Sequence, residues 1–285
     1  AAVPGNVHML LYSGFDLFDY RAVDLCTARG LFCTVEGEFK DEECGGAICS
    51  CHGCRNGDLF EHNRAALVSA IETASLFIGR SRLRDLVEAR SRIDPSQVSI
   101  LRHLDARKEF IDRYIPVARP APLLATTAES LRRTEVRRFA ERVIRRFRKP
   151  PHTIAVLLPC SARKPYSASQ SHRKFIAAVG GRAHELIVTS PLALVPRELE
   201  RVYPAAHYDV PVTGYWDREE LHFAASVLSE YFRSHPYRRV IAHLDGGALR
   251  AAEMAASACG IELERTVCSS PTDDASITAL QNALE

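Results

Sequence analysis

The sequence lacks a hydrophobic run that could cross a membrane. No apolar stretch approaches the roughly 18 residues that a bilayer span requires, and the segment AAVPGNVHMLLYSGFD has neither a basic n-region nor a long apolar core. We therefore expect a cytoplasmic protein and exclude the membrane and secreted classes. With 46% hydrophobic and 25% charged residues, the composition also argues against disorder, and 285 residues suit about two domains.

A strong net charge is also missing, since 37 basic residues face 35 acidic ones. The charge is nevertheless uneven. Residues 1–100 carry 10 basic and 14 acidic side chains, residues 101–150 carry 14 and 6, and residues 151–285 carry 13 and 15. A basic middle between two mildly acidic segments is typical of a connector that binds a polyanion, although a solvated helix face gives the same count.

The pattern of a disulfide framework is absent as well. The nine cysteines are an odd number, and four of them crowd into residues 44–54, which favours a metal site in a reducing compartment. Three thiolates and an imidazole are a common tetrahedral Zn²⁺ set, and a closed shell of four ligands makes such a metal structural. The predicted ligands are Cys49, Cys51, Cys54 and His62. Cys44 and His52 are the alternatives to His62, and unliganded reduced thiols are the alternative to a metal.

Residues 1–105 are predicted to form a small domain around this Cys-rich loop. The segment VHMLLY, residues 7–12, has the composition of a short strand, and the helix that follows ends near Gly30. A longer helical pattern runs from about Glu61 to Ser91.

Residues 106–150 are predicted to be a basic helical connector. Three prolines in residues 116–126 predict an extended linker. A helical pattern then continues from Thr127 to Lys149, where a double proline ends it. Its apolar stripe consists of Val136, Ala140, Val143 and Phe147, and arginines occupy much of the remaining surface.

Residues 151–285 alternate between strand and helix patterns. The runs TIAVLLPC, AHELIVTS and RRVIAHL resemble buried strands, whereas REELHFAASVLSEYFRSH, GALRAAEMAASACG and DDASITALQNAL have the spacing of helices. This order predicts a three-layer α/β domain that binds its ligand at the C-terminal ends of the strands.

Reactive side chains concentrate in PCSARKPYSASQSH, residues 159–172, directly after the first of these strands. The loop offers a nucleophile in Cys160, a cation in Lys164 or Arg163 that favours the thiolate, and proton donors in Tyr166 and His172. On the residues alone, a polar loop with a half-buried cysteine is the alternative.

The N-terminal segment resembles the archaeal tRNA-guanine transglycosylase family. The likeness is carried by GFDLFDYRAVDLCTARGLFCTVEGEF, the CSCHGC loop, the pair His62-Asn63 and SRLRDLVEAR. It implies a zinc-bearing remnant of a (β/α)8 barrel with the four ligands named above. Asp19 falls where the family has its catalytic aspartate. Because most of such a barrel would precede it, we expect an ordinary polar residue there and no base exchange.

The loop at residues 159–172 matches the signature Pro-Cys-x-x-x-Lys-Pro-Tyr-x-x-Ser-x-x-His of the archaeosine synthase family, the archaeal paralogues of the transglycosylase. TAESLRRTEV and YRRVIAHLD resemble the same family. The resemblance implies addition of an amine, expected to be free lysine, to the nitrile of 7-cyano-7-deazaguanine in tRNA. A radical S-adenosylmethionine enzyme then converts the adduct into archaeosine. The expected catalytic residues are Cys160, Lys164, Tyr166, Ser169 and His172.

In this mechanism the thiol of Cys160 forms a thioimidate with the nitrile, or Lys164 or His172 assists direct attack by the amine. Polar residues near predicted strand ends are the expected substrate contacts, although caps and core hydrogen bonds give the same pattern. These residues are Arg197, Glu198, Asp209 and Trp216. Contacts to tRNA phosphates are expected from four arginines of the basic helix. These are Arg137, Arg138, Arg145 and Arg146.

The resemblance covers neither the family's first barrel segment nor its C-terminal PUA domain. We therefore expect a partner chain that supplies them, because the strand predicted at residues 7–12 would otherwise present an unpaired edge. A self-paired homodimer is the alternative to such a partner. A non-catalytic tRNA-binding or scaffold subunit is the alternative function, and a true transglycosylase is the third.

Overall fold

The computed structural model describes residues 1–44, 49–210 and 215–285. Residues 45–48 of the Cys-rich loop, and residues 211–214 of the segment before Trp216, lie outside the described residues. The chain divides into two compact units, residues 1–113 and 114–285. The predicted mixed α/β class is confirmed, since helices and sheets alternate along the chain.

The first unit is mainly helical. Its helices are α1 (Val7–Tyr12), α2 (Arg21–Ala28), α3 (Asp41–Cys44), α4 (His52–Asn56), α5 (Leu59–Gly79), α6 (Leu83–Arg90), α7 (Pro95–Ala106) and α8 (Lys108–Ile111). Strands β1 (Leu31–Cys33) and β2 (Glu38–Lys40) form an antiparallel pair. The barrel remnant is not confirmed, because barrel strands are parallel and the strands in the described part of this unit are antiparallel.

The strand predicted at residues 7–12 is wrong, because these residues form α1. Periodicity alone does not separate a short buried strand from a short buried helix. Val7 and Met9 are almost fully buried, and α1 packs on α5 and α6. The unpaired strand edge that suggested a partner chain is therefore absent. The single helix predicted over residues 61–91 is also interrupted, since α5 ends at Gly79 and Ser81 has a φ of 56°.

A buried ion cluster joins three helices of the first unit. The guanidinium of Arg84 on α6 donates to Glu88 at 2.8 Å, to the Tyr12 hydroxyl at 2.9 Å and to both carboxylate oxygens of Asp105 on α7. The three charged side chains are at most 4% exposed. Multiple hydrogen bonds compensate the desolvation of these charges, which a single ion pair would not do.

The second unit contains a five-stranded sheet in the order β6-β5-β4-β8-β9. Its strands are β4 (Ile154–Pro159), β5 (His184–Thr189), β6 (Ala193–Pro196), β8 (Arg239–Ala242) and β9 (Leu263–Arg265), and only β6 runs antiparallel to its neighbour. A separate parallel pair consists of β3 (Leu123–Leu124) and β7 (Tyr208–Asp209). The helices are α9 (Thr134–Arg145), α10 (Gln170–Val179), α11 (Arg218–Ser234), α12 (Gly246–Cys259) and α13 (Asp274–Asn282).

Helices cover both faces of this sheet. On β4 the side chains alternate: Ala155 and Leu157 pack against α9, α11 and α12, whereas Val156 and Leu158 pack against α10 and α13. A strand that is buried on both faces has a continuous apolar sequence, which is why the run TIAVLLPC predicted β4. The loops after β4, β5 and β8 consequently meet at one edge of the sheet.

The basic helix packs into the second unit. α9 is shorter than the predicted helix and follows a 3₁₀ turn at Ala128–Arg132. Its stripe of Val136, Ala140 and Val143 is buried in the same core as β4. In the described residues, no helix is long and apolar enough to span a membrane.

Gly247→Ala is expected to destabilise the second unit by about 1–3 kcal/mol, because an added Cβ would lie 2.4 Å from Cγ of Trp216. Trp216 is the only tryptophan in the sequence, so urea unfolding followed by its fluorescence measures this effect. Met254→Ala is the control, since Met254 is an exposed residue of the same helix, α12. An unchanged unfolding midpoint for Gly247→Ala would show that the indole moves aside without cost.

Candidate functional site

The first unit brings together the four predicted metal ligands. One ligand atom from each of Cys49, Cys51, Cys54 and His62 lies within 4.8 Å of the others. Nδ1 of His62 is 3.4 Å from Sγ of Cys51 and 3.2 Å from Sγ of Cys54. Three thiols and an imidazole nitrogen that face one point can hold a metal ion in tetrahedral geometry.

Local structure orients these ligands. Nε2 of His62 lies 3.0 Å from the Cys33 carbonyl, and donation to that oxygen leaves Nδ1 unprotonated towards the sulfurs, as metal-binding histidines require. Gly53 permits the close approach of loop and helix, because a Cβ there would lie 2.5 Å from the His62 backbone nitrogen. Of the two alternatives to His62, His52 is exposed, and its Nδ1 lies 2.8 Å from a carboxylate oxygen of Glu61.

Cys160 and Lys164 lie at the C-terminal edge of the second unit's sheet. Cys160 follows β4 and is exposed. The ammonium of Lys164 lies 3.9 Å from the centroid of the Tyr208 ring. Partial burial lowers the pKa of Lys164, and the negative charges of Cys160 and Asp209 oppose that effect. An exposed thiol beside an amine of lowered pKa can perform nucleophilic and proton-transfer chemistry.

A chain of three buried hydroxyl groups lies beneath these two residues. The Tyr166 hydroxyl is 2.7 Å from that of Tyr208, which is 2.6 Å from Oγ1 of Thr189. Burial raises the pKa of both phenols, so both remain protonated. Sequence reasoning included Tyr166 but missed Tyr208 and Thr189. The only signal for Tyr208 was its position beside Asp209.

His172 is fully buried behind the loop. Its Nδ1 lies 2.8 Å from Nη2 of Arg197, and a guanidinium donates only, so Nδ1 accepts. Burial and the charge of Arg197 lower the pKa of His172 to about 4, which the carbonyl of Pro159 only partly offsets. The imidazole is therefore neutral and has one fixed tautomer.

Arg197 connects this histidine to two carboxylates. Its Nε donates to Glu185 and its Nη1 to Glu200, each at 2.9 Å. Glu200 also accepts from the backbone nitrogen of Ser167 in the loop, at 2.9 Å. Burial alone would raise the pKa of Glu200, but the bonds from Ser167 and the charge of Arg197 hold it below its usual value. We call Arg197, His172, Glu185 and Glu200 the arginine clamp.

The other predicted residues occupy several places. Ser169 caps α10 by accepting from the His172 backbone nitrogen. Glu198 bonds to His184 at the opposite end of β5 from Thr189, about 16 Å along the strand. Asp209 is exposed near Lys164. Trp216 packs on Gly247 at the start of α12, which follows β8 and so lies at the same sheet edge as Cys160.

The four arginines of the basic helix differ in environment. Arg145 and Arg146 are exposed, whereas Arg137 and Arg138 are half-buried. Arg138 donates to the carbonyls of Ile115 and Pro116 at 3.1 Å.

These features agree with a defined protein family. A family model described as "Domain of unknown function (DUF5591)" matches residues 136–284, which is more than half of the chain. The chain belongs to this family.

Named relatives make the likeness more specific. The chain is 40% identical to "Archaeosine synthase" of Haloferax volcanii, over 100% of this chain and 50% of that protein. It is 38% identical to "Archaeosine synthase subunit alpha" of Methanosarcina acetivorans, over 100% of this chain and 48% of that protein. It is 29% identical to a "tRNA-guanine(15) transglycosylase" of Methanobrevibacter smithii, over 81% of this chain and 37% of that protein. The predicted resemblance to archaeosine synthase is confirmed, and the chain spans about half the length of these relatives.

We expect the second unit to lose stability as the pH falls from 6.5 towards 4. The unfolded state binds a proton on His172 in this range and the folded state does not, a difference of roughly 3 kcal/mol at its full extent. Urea unfolding followed by Trp216 fluorescence measures the trend. His172→Gln keeps an acceptor for Arg197 and should flatten the pH dependence, with the lowered pKa of His243 accounting for a remainder. An unchanged slope would contradict burial of a neutral imidazole.

Proposed function

We propose that this chain modifies tRNA on the way to archaeosine by adding an amine, free lysine, to the nitrile of 7-cyano-7-deazaguanine. The observation that carries the proposal is the exposed thiol of Cys160 and the half-buried amine of Lys164, which interact electrostatically on one loop with the family's signature. The name archaeosine synthase supports archaeosine as the product, and the name of the transglycosylase relative supports tRNA as the substrate.

The reaction proceeds in two balanced steps. The thiolate of Cys160 adds to the nitrile carbon, and the ammonium of Lys164 gives its proton to the nitrile nitrogen, which yields a thioimidate. The neutral Lys164 then takes a proton from the incoming ammonium of lysine. The amine attacks the same carbon, the C–S bond breaks, and an amidine and the thiol remain. The lowered pKa of Lys164 suits both transfers.

The remaining signature residues position the groups that react. Tyr166 acts through the hydroxyl chain that orients Tyr208 under Lys164, and Ser169 and His172 fix the loop. Asp209 and Trp216 are the substrate contacts at this edge, whereas Arg197 and Glu198 act through the fold. Arg145 and Arg146 are accessible to tRNA phosphates. A radical S-adenosylmethionine enzyme would act downstream, and a chain with the rest of the barrel and a PUA domain remains a proposed partner.

A structural zinc ion in the first unit completes the proposal. The zinc ion is supported by the close approach of three thiols and Nδ1 of His62. The three thiolates would repel one another without a cation. A non-catalytic tRNA-binding subunit is the second candidate, favoured by the exposed arginines of α9.

Cys160→Ala should abolish adduct formation and leave tRNA binding intact, because loss of a nucleophile affects the chemical step more than the bound ground state. The assay incubates the protein with lysine and tRNA that carries the nitrile base, followed by mass spectrometry of the nucleosides. Cys268→Ala, which removes another exposed thiol, is the matched control and should retain activity. Near wild-type turnover of Cys160→Ala would favour direct attack assisted by Lys164.

Metal analysis should find one Zn²⁺ per chain. Chelation should reduce the helical signal in circular dichroism and leave the Trp216 unfolding transition unchanged, because the ligands belong to the first unit and the tryptophan to the second. Cys54→Ser should lose the metal, whereas Cys268→Ala should keep it. Protein purified without chelators that contains no zinc would contradict the proposal.

A further inference from the structure

A cavity of about 600 Å³ lies between α9 and residues 199–204 of the second unit. This volume is within the range of small-ligand sites. The floor is apolar and is formed by Phe139, Val143, Phe147, Leu199, Val202 and Pro204. We call this cavity the arginine pocket, because Arg142, Arg146 and Arg148 also line it.

Among the described residues, the guanidinium groups of these three arginines have no hydrogen-bond or ion-pair partner. Arg146 and Arg148 are exposed, and Arg142 is half-buried. Arg142 and Arg146 are one helical turn apart, about 6 Å along the axis. Neighbouring cations without counter-ions repel each other, which an anionic ligand relieves.

The other charged groups on the wall are already paired. The carboxylate of Glu135 is 5% exposed and lies 3.4 Å from Nε of Arg119. Arg138 is bonded to backbone carbonyls of residues 115 and 116. The pocket therefore presents a net positive rim over an apolar floor, a combination that excludes a cationic ligand such as lysine.

We propose that the arginine pocket holds one unpaired nucleotide of an RNA strand, with its base on the apolar floor and its phosphates at Arg142, Arg146 and Arg148. Aromatic floors and cationic rims are the two elements by which proteins bind single-stranded nucleic acid. The choice of RNA, and of tRNA in particular, rests on the proposed function, whereas the pocket's fit to a single-stranded nucleic acid does not.

Binding of an eight-nucleotide single-stranded RNA tests the charge. Arg146→Gln should weaken binding about 5- to 10-fold near 0.1 M salt and reduce the slope of log K against log salt by about one. Arg173→Gln is the matched control, because Arg173 is also exposed but lies on α10, on the opposite face of the sheet. Equal effects of the two variants would overturn the proposal.

An abasic eight-unit ribose-phosphate strand tests the base. The wild-type protein should bind it about 10-fold or more weakly than the RNA, since stacking of a base contributes on this scale. An RNA with one 4-thiouridine should crosslink, on irradiation, to peptides that contain residues 139–148 or 199–204. Equal affinity for both strands, or crosslinks confined to other peptides, would overturn the pocket assignment.

The adduct assay separates this inference from the proposed function. If the wild-type protein forms the lysine adduct but the Arg146→Gln protein binds RNA normally, the pocket assignment fails and the proposed function stands. If RNA enters the pocket and no adduct forms, the proposed chemistry fails and the pocket assignment stands.

Discussion

The arginine clamp is the constraint on which the candidate active site depends. One guanidinium, that of Arg197, binds the His172 ring on α10, Glu185 on β5 and Glu200, and Glu200 holds the loop backbone at Ser167. The loop between β4 and α10 carries Cys160 and Lys164 and is thus fixed at its middle and its end. The Arg197 side chain is 17% exposed, and an arginine with acceptors on several sides has little freedom to move.

The groups in and around the clamp keep one protonation state near neutral pH, whereas Lys164 on the loop can change its protonation state. His172 is neutral, the phenols of Tyr166 and Tyr208 are protonated, and the carboxyl group of Glu200 is ionised, so none of these four groups changes its protonation state near neutral pH. Lys164 lies at the surface of this rigid layer with its pKa lowered. In the proposed reaction, the accessible groups of the loop exchange protons with the substrate, and the buried groups beneath them hold the loop in place.

The sequence predicted the elements whose pattern is local and missed the relations that depend on tertiary packing. The apolar run of β4 correctly indicated a buried strand. The spacing of Cys49, Cys51 and Cys54 correctly indicated a cluster of possible metal ligands. Each of these patterns is compatible with few other structures. The run at residues 7–12 was assigned to a strand because a mainly apolar segment of six residues fits a short strand and a short helix equally well. His172 contacts Arg197, which lies 25 residues further along the chain. No local sequence pattern predicts such a contact.

The second unit extends beyond the part that the family model covers. The match begins at residue 136, but Leu123 pairs with Tyr208 in the small parallel sheet, and Arg119 donates to the Tyr203 hydroxyl at 2.9 Å. Tyr208 belongs to the hydroxyl chain under Lys164, and Tyr203 lines the arginine pocket. Both candidate sites therefore need the segment before α9. Because this segment contributes a strand and a buried ion pair to the second unit, its role is structural support of the two sites as well as connection.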